Sequence, residues 1–127
     1  MVGDAHGNIY YLDDNNNRYG DGKLKRSRIS PNNVTPYRDR QFFTEGFVLD
    51  CVTGLAPQGA SPTVELSWSD NGGFYWGNPV QRSAGVVGNY LSRVIWHSVN
   101  GPEARDRIWR VDFSDNAPFS IIHAEAR

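Results

Sequence analysis

Three histidines, one cysteine, a serine–asparagine turn, a mixed charge run and one basic cluster are the side chains with chemical potential. His6, His97 and His123 stand far apart. No pair has the i, i+4 spacing by which a helix presents two imidazoles to one metal ion, so no metal ligands are assigned. Cys51 falls in Phe-Val-Leu-Asp-Cys-Val, on the period-2 face of Phe47 and Leu49. A nucleophilic thiol needs an electropositive, accessible setting; this one is expected to be buried and inert. The nucleophile elbow, the P-loop and G-x-G-x-x-G are missing. Acids are numerous, yet no two form a catalytic dyad. Glu103-Ala104-Arg105-Asp106-Arg107 reads as a solvated hairpin with mutual ion pairs, each weak at a surface. No catalytic residue and no cofactor is assigned, which points away from an enzyme and from a small-molecule substrate.

The sharpest local motif is Ser69-Asp70-Asn71-Gly72-Gly73-Phe74-Tyr75-Trp76. It resembles the Asp-box, S-x-D-x-G-x-T-W, of β-hairpins in sialidase-type propellers and other β proteins. Asn71 replaces the usual Asp and Tyr75 the usual Thr. A short polar side chain at 71 bonds backbone donors across the turn. Gly73 supplies positive φ, and Trp76 covers the hairpin base. Such boxes lie away from catalytic centres, so Ser69, Asn71, Gly73 and Trp76 are read as structural.

Lys23, Lys25, Arg26 and Arg28 form the one basic cluster. In a strand, Lys25 and Arg26 face opposite sides. Three roles fit: tracking phosphates, solubilising an edge strand against edge-to-edge pairing, or contacting an acidic neighbour in an assembly. Tyr10, Tyr11, Tyr19, Tyr37, Phe74, Tyr75 and Tyr90 exceed what a small core needs, and such residues are enriched at interfaces. The four cations with Tyr75 and Tyr90 are the candidate interaction surface.

The elements that must position these residues read as short strands. Asn8 to Asp13 is one, followed by a polar loop or linker from Asp13 to Gly22. Lys23 to Ser30 has no apolar face and reads as an edge strand. Gln41 to Val52 places Phe43, Phe47, Leu49 and Cys51 on one face, and Phe42, Val48 and Val52 on the other. Pro62 to Ser69 alternates Val64, Leu66 and Trp68 inward with Thr63, Glu65, Ser67 and Ser69 outward. Asp70 to Gly73 closes a tight turn, with Phe74 to Trp76 starting the return strand. Tyr90 to Val99 sets Val94 and Trp96 against Arg93, Ile95, His97 and Val99. Asn100-Gly101-Pro102 turns the chain. Arg107 to Ser114 sets Trp109, Val111 and Phe113 against Arg110, Asp112 and Ser114. Phe119 to Ala124 ends the pattern. No amphipathic helix and no solenoid repeat emerges.

Composition agrees. The 127 residues are 39% hydrophobic, 13% aromatic and 21% charged, with 13 Gly and 7 Pro, which suits short strands and frequent turns rather than a helical bundle. One domain of this length buries about two-thirds of its surface. A single cysteine excludes an internal disulfide framework. Net charge of −1 argues against a dedicated nucleic-acid binder. Apolar runs are too short to span a membrane. Met1 to Leu12 lacks the pattern of a secretory signal, so a reducing, intracellular folding environment is expected. The fold class is all-β: an antiparallel β-sandwich of about seven or eight strands.

Three segments together resemble a known family. They are Val64 to Gly73 with Trp76-Gly77-Asn78, then Gly88-Asn89-Tyr90 with Arg93-Val94-Ile95-Trp96, then Ala104 to Arg110 with Ser114-Asp115. Their order and spacing resemble the C-terminal region of the packaged-DNA stabilisation proteins of short-tailed phages of the P22 type. Gly3-Asp4, Gly7-Asn8-Ile9-Tyr10 and Leu12-Asp13 resemble the end of the propeller-like region that precedes it in that family. Departures fall in loops: Asn71, Tyr75, Pro102-Glu103 and Asn116-Ala117-Pro118.

The resemblance implies residues 1–22 as the last strand and linker of a propeller-like region, and 23–127 as the sandwich. It implies a chain cut from a longer protein, either an expressed piece or a truncated prophage copy. It implies a non-enzymatic phage or prophage virion protein, made in the host bacterial cytoplasm and located in the tail. Such a tail accessory (hub or nozzle) module self-associates into a ring below portal and adaptor, contacts those neighbours, helps retain packaged DNA and passes it on ejection. The alternative reading is a carbohydrate-binding β-sandwich module with an Asp-box hairpin.

Overall fold

The computed structural model describes residues 1–13, 16, 18–19, 22–31, 43–52, 54–99 and 106–127. The expectations placed on Tyr37, Gln41, Phe42, the 100–102 turn and residues 103–105, and on the side chain of Tyr19, lie outside the described residues. The described strands are β1 (Val2–Gly3), β2 (Ile9–Tyr10), β3 (Arg18–Tyr19), β4 (Gly22–Lys23), β5 (Arg26–Ile29), β6 (Phe47–Val52), β7 (Thr63–Ser69), β8 (Val80–Ser83), β9 (Leu91–Trp96), β10 (Ile108–Phe113) and β11 (Ser120–Ala126). No helix occurs among the described residues, so none there is long and apolar enough to cross a membrane.

Seven strands build two antiparallel sheets, ordered β5-β10-β7-β8 and β11-β6-β9. This is the expected all-β sandwich. Register puts one apolar face of each sheet inward. Trp109 lies opposite Trp68, Val111 opposite Leu66 and Phe113 opposite Val64, while Leu49 pairs with Val94 and Phe47 with Trp96. These side chains form one core, with Phe47 tilted against Trp109 at 4.9 Å and edge-on to Trp96 at 5.9 Å between ring centroids. Each fully buried Leu, Val or Phe there contributes about 1.5–3 kcal/mol. The sheets are tied at one side by Trp96, whose indole N–H donates to the Val80 carbonyl at 2.9 Å.

Several boundaries differ from the sequence reading, each for a local reason. The strand expected over 41–52 is described as strand only from Phe47. Phe43 is half-exposed rather than inward, and Glu45 and Gly46 donate their N–H groups to the Arg127 carbonyl instead. Val99 lies in the core rather than beside Arg93, because strand geometry ends at Trp96 and the alternation stops with it. The linker over 13–22 contributes Arg18–Tyr19 to a two-residue rung with Gly22–Lys23, which crosses the expected boundary at 22/23. The return strand is Val80–Ser83, not 74–76. Its late start follows from the turn described below, which occupies the backbone donors of Gly73 and Tyr75.

Gly54 explains one loop crossing. Its φ is +89°, and a Cβ there would lie 2.9 Å from the Asn89 backbone. Only glycine lets these two connections meet, and the Gly54 carbonyl accepts the Gly88 N–H at 3.2 Å.

Candidate functional site

The connection from β7 to β8 begins as a side-chain-built turn. Ser69 is almost fully buried at the end of β7. Its hydroxyl donates to Asn71 Oδ1 at 2.9 Å and accepts the Gly73 N–H at 3.0 Å. Asn71 Oδ1 also accepts the Tyr75 N–H at 2.9 Å. Gly72 and Gly73 both have positive φ, +74° and +90°. With these donors engaged, 74–76 cannot enter the ladder. Trp76 instead turns back, with the Arg110 guanidinium 4.5 Å above its ring, and the Gly77 N–H donates to the Trp68 carbonyl. Ser69, Asn71, Gly73 and Trp76 thus lie together in one turn.

The same turn is anchored by a pair that the sequence reading assigned otherwise. Arg107, expected in a solvated charge run, has a side chain with no solvent exposure. Its Nε and Nη2 donate to the two carboxylate oxygens of Asp70 at 2.6 and 2.9 Å. The guanidinium lies over the rings of Trp68 and Trp109, 5.8 and 5.6 Å from their centroids. Register explains the burial: Ile108 is opposite Ser69, so Arg107 arrives beside the turn at the sheet's end. The tryptophans gave a signal, since a guanidinium stacks on aromatic faces where an ammonium does so poorly.

The basic cluster runs along β4 and β5, and β5 edges the four-stranded sheet. Its members separate by face. Lys25 pairs with Asp112 at 3.0 Å. Asp112 is nearly buried, and it also takes Arg110 at 3.1 Å and the Ser27 hydroxyl. Arg26 faces inward beside Phe113, its guanidinium 4.8 Å above that ring, and donates to the carbonyls of Asp115 and Ala117 at 2.8 Å each. Burial lowers its pKa from the ordinary arginine value, partly opposed by the Asp115 charge. Lys23 lies 3.6 Å from Asp115, exposed. Arg28 is exposed on the inward side of β5, opposite Val111, and has no acidic partner among the described residues.

The exposed aromatics divide. Tyr11, Phe74, Tyr75 and Tyr90 are exposed, Phe74 at 94%. Tyr10 is instead half-buried, its hydroxyl donating to Asp4 at 3.2 Å. Tyr75 and Tyr90 sit on the two connections flanking β8, at the edge of the sheet opposite β5. The six residues of the candidate interaction surface are therefore not one patch.

Reactive groups do not converge. Cys51 is buried, and burial chiefly, with the Asp50 charge, pushes its thiol up to about 11. Among the described residues no three His, Cys, Asp or Glu side chains are grouped to hold a metal ion. A cleft of about 700 Å³ lies between β5 and β11, walled by Phe47, Trp109, Val111, Phe119, Ile121 and Ala124, with Arg26 and Arg28 along the β5 side.

Comparison with curated proteins gives no match. A family model described as "Bacteriophage P22 Gp10, beta-sandwich" matches residues 33–127, three-quarters of the chain and all of β6 to β11. The two sheets, their inward aromatic face and this match lead to one statement: the chain belongs to the bacteriophage P22 Gp10 beta-sandwich family, a family of phage structural proteins.

Proposed function

We propose that the chain is a non-enzymatic tail accessory module, of the hub or nozzle kind, in a phage or prophage virion. It works by self-association into a ring and by contact with portal and adaptor proteins. In that place it helps retain packaged DNA and lets it pass on ejection. The observation that carries this reading is the family match over residues 33–127. The geometry supports it: polar side chains are spent on internal ties such as Asp70–Arg107 and Asp112–Lys25, while large aromatics face solvent.

Within this reading, residues 23–127 are the sandwich and 1–22 the end of a preceding propeller-like region. Among the described strands, β1 and β2 contact only each other, which supports a separate N-terminal segment, while the β3–β4 rung straddles the 22/23 boundary. Passing contact with DNA does not fall to Lys25 or Arg26, which are committed to Asp112 and to backbone carbonyls.

The test is a pair of binding assays on the isolated chain, one against a portal–adaptor assembly and one against a glycan array. Retention on the assembly with no glycan selectivity supports the tail reading. Selective glycan binding without retention overturns it in favour of a carbohydrate-binding module.

A further inference from the structure

Two surfaces of the sandwich stand out, a cleft and an exposed aromatic tip. The first is the cleft between β5 and β11, the edge strands of the two sheets. Register explains why, among the described residues, it stays open. The β11 positions opposite Leu49 and Phe47 are Ala124 and Ala126, small and solvent-exposed where a closed core would place larger side chains. The β5 positions opposite Phe113 and Val111 are Arg26 and Arg28, which cannot close an apolar core either. The wedge above Trp109 and Phe47 is left apolar and unfilled by both edges.

The second surface is the tip of the β7–β8 connection. Phe74 is 94% and Tyr75 71% exposed. Ser69, Asn71 and the Asp70–Arg107 pair fix the backbone from which they project. An aromatic held in advance loses little freedom on docking.

We propose that the Phe74–Tyr75 tip of one copy seats in the β5–β11 cleft of a second copy. Phe74 fills the space beside Ala124, Ala126 and Trp109. Arg28 at the mouth meets the ring of Tyr75 and the one-third-exposed carboxylate of Asp70 at the tip's base. Tip and cleft are different surfaces, so the contact is head-to-tail, and repeated copies close a ring when the rotation closes. This rests on the self-association reading and names its contact.

The experiment uses two single substitutions in the full chain, Phe74→Cys and Ala124→Cys. Mild oxidation of their mixture is expected to give a cross-linked pair severalfold above either variant alone. Separately, Phe74→Ser is expected to weaken self-association, measured by sedimentation, more than about tenfold, as for a central aromatic anchor. Its unfolding midpoint stays unchanged because Phe74 has almost no contacts to lose. Association that survives Phe74→Ser, or cross-linking dominated by Ala124→Cys with itself, overturns the contact and leaves self-association standing. A chain that stays monomeric at every concentration overturns both.

Discussion

Arg107 and Asp70, thirty-seven residues apart, form a two-pronged ion pair whose guanidinium is wholly enclosed while its carboxylate stays one-third exposed. This asymmetry sets what each partner's loss does. Arg107→Ala removes the stack on Trp68 and Trp109 and leaves Asp70 next to water, which can rehydrate it. Asp70→Asn leaves an enclosed cation without its counter-charge. Breaking a buried pair costs about 3–5 kcal/mol. Both variants are expected to lose stability in urea unfolding, and Arg107→Lys does not rescue, because a point ammonium cannot reproduce the fork and the stack. Recovery of wild-type stability by Arg107→Lys contradicts the described geometry.

Ser69 closes the turn from inside. Ser69→Ala leaves the half-buried Gly73 N–H without its acceptor, at a cost of about 1 kcal/mol. Asn71→Asp keeps the oxygen that accepts the Tyr75 N–H and adds charge to it. It is expected to be neutral or stabilising, whereas Asn71→Ala destabilises. Denaturant midpoints of the three variants check this order.

Gly54 and Gly88 share nearly the same φ, +89° and +88°, but not the same surroundings. A Cβ at 54 meets the Asn89 backbone at 2.9 Å, and one at 88 meets nothing within 4 Å. Gly88→Ala therefore costs only the left-handed conformation, about 1–2 kcal/mol. Gly54→Ala costs clearly more. Equal losses by calorimetry contradict the close approach of the two loops.

Among the described acids, Asp4 has the most depressed pKa. Hydrogen bonds from the Asn8 side chain and backbone, then from His6 and Tyr10, hold its pKa at about 2 against an ordinary 3.8. The folded value lies below the unfolded one, so the carboxylate supports the β1–β2 hairpin above pH 3.8, and that support is lost as pH falls through about 2. The amide resonances of His6 and Asn8, whose N–H groups donate to Asp4 Oδ1 with N···O distances of 2.8 and 2.9 Å, are expected to titrate with a midpoint near 2. A midpoint at the ordinary value shows that the turn does not form.

Much of the fold was legible because period 2 survives wherever one strand face is buried. Val64 and Leu66 on β7, and Trp109, Val111 and Phe113 on β10, are buried as their alternation implies. Strand order was not legible, since β5 pairs with β10 and β11 with β6 across long separations that no local pattern encodes. At the turn, the residue types of Ser69, Asn71 and Gly73 announced a side-chain-built bend, but the delay of the return strand to Val80 depended on which backbone donors they captured. Arg107 read as solvent-facing because its neighbours are charged, and its burial comes from cross-strand register and Trp68. The split of the basic cluster between Asp112 and the Asp115 and Ala117 carbonyls likewise needed the sheet.

The most direct measurement of the central claim is sedimentation velocity of the chain mixed with a purified portal–adaptor assembly of a P22-type phage. The tail-module reading predicts that the chain co-migrates with the assembly and saturates at a fixed number of copies per ring. A chain that sediments alone at every ratio, as a monomer, contradicts it.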